Sequence, residues 1–199
     1  ASLDAERKAE ILPFLERMHR ELAMPIVYVT HSMDEVARLA DHLVLLDAGR
    51  ARAAGPITEL LARPDLPLAR RDEAGVVIDA DVTEVDVGYG LAHIDIGGGA
   101  LWVGSASARV GDRVRARVLA RDVSVARVPP QQTSIINVLP AVLESLQVDG
   151  STVLLRLAVG APGETNTRLL ARITRRSLDT LGLRPGDAVH VQVKGVALM

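Results

Sequence analysis

Cysteine is absent from this chain, which removes disulfides, thiolate metal sites and cysteine nucleophiles together. Aromatic residues are nearly absent as well, with one Trp, two Tyr and one Phe in 199 residues. Binding single-stranded nucleic acid by base stacking needs aromatic platforms, and this composition argues against it. The formal net charge of −2 argues in the same direction, against any polyanionic partner such as nucleic acid. No apolar run approaches the roughly 18 residues of a membrane-spanning helix, and no secretory signal is visible, so a cytoplasmic location is expected. Lysine is also scarce: of 23 basic residues, only Lys8 and Lys194 are lysines. Finally, no GxxxxGK[ST] run is present to cradle nucleotide phosphates.

What is present is apolar enough for one or two packed domains, with 48% hydrophobic and 24% charged residues. The first 70 residues carry helix and parallel-strand patterning. Asp4 is a plausible N-cap, and Ile11, Leu15, Met18 and Leu22 form one apolar stripe on a helix that Pro13 should bend. Met24-Pro25 ends it, and Ile26 to Val29 reads as a short buried parallel strand. Ser32-Met33-Asp34-Glu35 is a capping-box sequence that opens a helix through about Ala40. His42 to Leu46 reads as a second buried strand, followed by a turn at Asp47 to Arg50 and a last helix from Pro56.

Near Pro64 to Pro67 the character changes. Val76, Ile78, Ala80 and Val82 alternate with polar residues, and Val114, Ala116 and Val118 alternate with arginines. Turns such as Gly97-Gly98-Gly99 punctuate these runs, so this part is all-β with one face buried. It also repeats. Val110-Gly111-Asp112-Arg113-Val114 is echoed 75 positions later by Pro185-Gly186-Asp187-Ala188-Val189. A strand pair precedes each copy, Leu91 to Val103 and Val153 to Ile173, and Pro129-Pro130 separates the copies. Two such units suggest two small barrels packed together.

His31 follows an apolar run and precedes a capped helix. That placement suits a side chain sensing a γ-phosphate, though on spacing alone it reads more simply as a satisfied loop histidine. Asp4 by itself reads more simply as a cap than as a site. The order Ala1-Ser2-Leu3-Asp4, then His19 to Leu22, then Val27 to Ser32, Asp34-Glu35-Val36 and Ala40-Asp41 resembles the end of an ABC-transporter ATPase domain. The resemblance covers about residues 1–62. It makes Ser2, Leu3 and Asp4 a D-loop at the ATP interface and His31 the switch histidine. It implies ATP and Mg2+ as cofactors of the full-length family member, a homodimer, and a membrane permease on whose inner face the subunit sits. The family's Walker A loop, signature motif and Walker B strand would precede residue 1, so the chain alone should be inactive as an ATPase.

The later part resembles the molybdate-binding (Mop) domain in Gln131 to Leu139, Ala171 to Leu178, Leu181 to Gly186 and Val193 to Val196. An earlier copy of the same barrel ends near Ala120 to Val123. An ABC ATPase tail followed by such a pair is similar to the ATP-binding subunit of molybdate importers. The expected fold is therefore α/β over residues 1–70, an incomplete nucleotide-binding core, followed by all-β. The β part would be tandem small OB-like (Mop) barrels over 72–128 and 131–199.

An oxyanion site also has support from the residues. A tetrahedral dianion needs convergent hydroxyls, backbone N–H groups and one or two cations. Thr174 and Ser177 place two hydroxyls on one helical turn, and Ser134 with Asn137 offers a second donor cluster; all could equally be turn and cap residues. Lys194, beside Gly195, is a lysine in a chain that otherwise prefers arginine, which suits a site wanting a compact ammonium. Where the family commonly has Thr-Ser-x-Arg-Asn, this chain has Ile136, and Arg172 and Arg175 are candidates to replace the lost cation. The expected ligand is molybdate or tungstate. The alternatives are a stand-alone molybdate-binding or storage protein, or the ATPase subunit of a different oxyanion, metal or sugar importer.

Overall fold

The computed structural model describes residues 11–18, 25–105, 107–160 and 167–199. Ser2, Leu3, Asp4 and Lys8 lie outside the described residues. The chain divides into two compact units, Ala1–Ile57 and Thr58–Met199, and passes from one to the other within a short helix.

In the first unit, residues 11–18 are helical. They are tied to helix α1 (Met33–Leu39) by an ion pair between Arg38 and Glu16 at 2.7 Å. Ser32 caps α1 as its sequence predicts, its hydroxyl accepting from the Glu35 N–H. The Ser32 N–H donates to the Thr30 hydroxyl at 3.0 Å, and the buried Glu35 accepts at its carboxylate from the hydroxyls of Tyr28 and Thr30, which pins the preceding segment to the helix.

Two strand expectations are corrected here. Residues 26–29 belong to no sheet, and Val27 and Val29 are 93% and 89% exposed. Strand β1 (His42–Asp47) forms, but as an antiparallel hairpin with β2 (Arg50–Pro56), leaving Val44 and Leu46 exposed. An apolar run specifies burial only where neighbouring strands supply the partners. Among the described residues nothing pairs with 26–29, and no parallel sheet forms among them. The hairpin turn itself follows its chemistry: Ala48 and Gly49 both take positive φ, the two-residue turn that matches strand twist.

Helix α2 (Ile57–Leu61) leads into the second unit, whose described residues form, after it, ten strands and an α-helix. They are β3 (Gly75–Asp86), β4 (Leu91–Asp95), β5 (Ala100–Gly104), β6 (Arg113–Leu119) and β7 (Val123–Ala126), then β8 (Asn137–Asp149), β9 (Thr152–Val159), β10 (Thr167–Thr174), α3 (Arg175–Leu181), β11 (Ala188–Val193) and β12 (Ala197–Leu198). One sheet runs β12-β6-β3-β4-β5 and the other β10-β9-β8-β11-β7, all antiparallel. Each curls so that its end strands approach, β12 towards β5 and β10 towards β7. The alternation read from the sequence fills the first interior with Val76, Ile78, Ala80, Val82, Ala116 and Val118, and Leu143, Leu155, Leu157 and Leu169 fill the second, all buried. Each such leucine contributes roughly 1.5–3 kcal/mol on burial.

The strand order holds a reciprocal exchange. β7 follows β6 in sequence, yet it pairs with β11 and completes the second sheet. β12 follows β11, yet it pairs with β6 and completes the first. The break at Pro129-Pro130 marks the sequence repeat, and strand pairing crosses it in both directions.

The repeat has a structural cause. Beside Thr83 in β3 and Glu144 in β8 the pairing register slips, and the Gly-Asp turn fills the gap each time. Gly111 N–H donates to the Val82 carbonyl at 2.8 Å and Gly186 N–H to the Leu143 carbonyl at 2.7 Å. Val82 and Leu143 donate back to the carbonyls of Asp112 and Asp187. Both glycines sit near φ +90°, where a side chain is strained, and each aspartate carboxylate accepts from the backbone N–H three residues before it.

Candidate functional site

A cleft of about 430 Å³ lies at the seam of the two barrels. Ser134 to Ile136, the approach to β8, line it with Asn137 at the start of that strand, as do Val193 at the end of β11 and Lys194 to Val196, the connector from β11 to β12. The remaining wall comes from the first barrel: Leu91 of β4 and Trp102 to Gly104 of β5. Four of the predicted donors, Ser134, Asn137, Lys194 and Gly195, are therefore brought together.

Their roles differ. Lys194 is exposed, and among the described residues it has no carboxylate partner, so its ammonium can accept an anion. Its backbone N–H donates to the Asp122 carbonyl at 2.8 Å, which fixes where the side chain starts. Ser134 is exposed at the rim with its hydroxyl unengaged among the described residues. Gly195 has a packing reason: a Cβ there would meet the Asp122 carboxylate at 3.1 Å. Asn137 is buried, and its amide is fully engaged. Its oxygen accepts from Trp102 N–H at 2.7 Å, and its NH2 donates to the carbonyls of Trp102 at 2.9 Å and Val193 at 3.4 Å. Asn137 thus shapes the cleft and leaves no side-chain donor for a ligand.

Thr174 and Ser177 are elsewhere in the chain's own fold and do not line the cleft. Thr174 is the N-cap of α3, accepting from Ser177 N–H at 3.0 Å, and the two hydroxyls lie 2.8 Å apart. Ile136 lines the cleft with an exposed apolar side chain. Arg172 cannot replace a cation there, because its guanidinium donates to the carbonyls of Ala69 and Arg71 and pairs with Asp72 at 3.2 Å. In the first unit, His31 is exposed immediately before the α1 cap.

Sequence reasoning missed the first-barrel wall. Trp102 rests its ring against His93 at a centroid distance of 4.7 Å, and His93 Nδ1 is 2.9 Å from the Thr83 hydroxyl. The only available signal was that this is the sole tryptophan, which by itself gives no position.

The TOBE domain model matches residues 133–199, the stretch from the cleft's rim to the C-terminal strand. Over 200 residues the chain is 54% identical to a molybdenum import ATP-binding protein ModC of Aromatoleum aromaticum, covering 100% of this chain and 52% of that protein. ModC of Pseudomonas aeruginosa is 53% identical over 203 residues, with 100% and 55% covered, and ModC of Methylococcus capsulatus is 49% identical over 201 residues, also with 100% and 55% covered. The chain thus spans about half the length of these curated relatives. Among solved structures, the cytoplasmic molybdate-binding protein ModG with molybdate bound shares the fold, with TM-score 0.50 and 23% identity over 61% of this chain and 93% of ModG. Along its whole length, this chain is similar to about half of the ModC-type molybdenum import ATP-binding proteins, and its residues 133–199 match the TOBE domain.

Proposed function

We propose that the chain is the C-terminal portion of the ATP-binding subunit of a molybdate importer, and that its barrels bind molybdate or tungstate. The observation that carries the reading is Lys194: an ammonium without a carboxylate partner among the described residues, in an inter-barrel cleft that Ser134 also lines. A dianion held there gains a charge-assisted hydrogen bond. Thr174 and Ser177 of a second copy complete the donor set, since Thr174 is exposed and neither residue lines its own chain's cleft. The working unit is then a homodimer.

In the full-length subunit, residues 1–70 close an α/β ATPase core. Asp4 and its neighbours Ser2 and Leu3 belong to the dimer-facing loop, and His31 contacts the γ-phosphate. ATP with Mg2+ drives closure of the dimer, which powers a membrane permease from the cytoplasmic face. The barrels report cytosolic oxyanion to that machinery.

Calorimetry with molybdate, tungstate, sulfate and phosphate tests the site. Lys194→Ala should weaken molybdate binding by roughly 10- to 150-fold, the equivalent of a hydrogen bond to a charged group. Unchanged affinity in this variant would move the site elsewhere, and an absence of heat for every oxyanion would reduce the barrels to an interface.

A further inference from the structure

The connector between β11 and β12 is three residues long, Lys194, Gly195 and Val196, and all three line the cleft. It leads directly into the strand that the second repeat lends to the first barrel. β12 is thin: Ala197 and Leu198 pair with Arg117 and Ala116, and Met199 N–H donates to the Arg115 carbonyl at 2.9 Å. It nevertheless closes that barrel, lying between β6 and β5, with Leu198 against the hydrophobic core. A two-residue terminal strand has few ladder bonds and little buried area, so its undocking is among the least costly local openings of such a fold.

We propose that anion binding in the cleft and docking of β12 on the first barrel are one coupled equilibrium, with Lys194 to Val196 as the shared element. The inference rests on the oxyanion reading of Lys194. An anion held by Lys194 and Ser134 fixes the connector, and a fixed connector delivers β12 to β6 with less chain entropy left to lose. The start of the connector is already pinned, because Lys194 N–H bonds the Asp122 carbonyl in the segment joining β6 to β7. Trp102 of the first barrel also lines the cleft. Linkage makes the effect reciprocal: a docked β12 raises anion affinity by the factor with which the anion favours docking.

The test uses the full 199-residue chain with sodium molybdate, and sodium sulfate as the ionic control. In hydrogen exchange, saturating molybdate should slow amides of residues 113–119 and 196–199 by about fivefold or more, while residues 152–159 stay unchanged. Lys194→Ala should abolish the slowing. A chain ending at Val196 should bind molybdate about 5- to 50-fold more weakly in calorimetry. Molybdate binding without slowed exchange at 113–119 in the intact chain would overturn the coupling while leaving the site reading intact. No heat from the intact chain would overturn both.

Discussion

Asn137 pairs with both backbone groups of Trp102, accepting from its N–H and donating to its carbonyl. β5 is the terminal strand of its sheet, so the amide acts as one rung of a missing ladder and ties the second repeat to the first. Asn137→Ala should therefore cost about 2–3 kcal/mol, since it removes the rung and leaves the Trp102 groups without their partner. Urea denaturation followed by the fluorescence of Trp102, the sole tryptophan, measures it. A loss below about 0.5 kcal/mol would mean that water replaces the amide freely.

Glycine substitutions should separate by what surrounds them. A Cβ on Gly75 would lie 2.3 Å from the Val118 carbonyl oxygen and 2.8 Å from Leu119 Cα, both backbone atoms. Gly75→Ala must push β3 away from β6 and should destabilise by at least about 1–3 kcal/mol. Gly104→Ala meets open space and should stay within about 0.5 kcal/mol. Thermal melts of the two variants side by side make the comparison; equal melting points would contradict the close approach.

Acid should weaken the second Gly-Asp turn. The Arg184 backbone N–H, and after it the Arg127 guanidinium at 2.8 Å, hold the Asp187 carboxyl below the usual carboxylate range. A depressed folded-state value contributes stability above the unfolded value of about 3.9 and loses it as pH falls through the folded value. Asp187→Asn should thus be less stable than the parent at pH 7, with the deficit shrinking on acidification. Urea midpoints across the acid range check this, and a pH-independent deficit would rule it out.

The 199-residue polypeptide should hydrolyse no ATP by itself, because its sequence holds no phosphate-cradling loop of the GxxxxGK[ST] kind. A phosphate-release assay on the purified chain decides it. Turnover abolished by His31→Ala would show that the nucleotide is gripped in some other way.

The range of each interaction decides how much of the fold and the cleft is legible in the sequence. The Gly-Asp repeat is visible because one turn performs one local task twice, sealing a register slip at Val82 and again at Leu143. Alternation reveals the buried faces of β3 and β6 for the same reason. The run at 26–29 misleads because apolar character does not name a neighbour. The exchange of β7 and β12 is illegible: Val123–Ala126 has the same alternation whichever barrel it joins, and two residues at 197–198 carry no period at all. Thr174 and Ser177 read as companions of Lys194 only because sequence spacing does not separate one chain's cleft from what a second copy could supply.

The crossed strands also bear on how such a domain can be inherited. A recombination event at the codons for Pro129 and Pro130 would pass on the first repeat without β12 and the second without β7. Each product would have an open barrel with an end strand missing, unless the other fragment were made in the same cell. The tandem is therefore a single heritable module despite its two visible copies, and the two fragments, co-expressed, should find each other and restore both barrels.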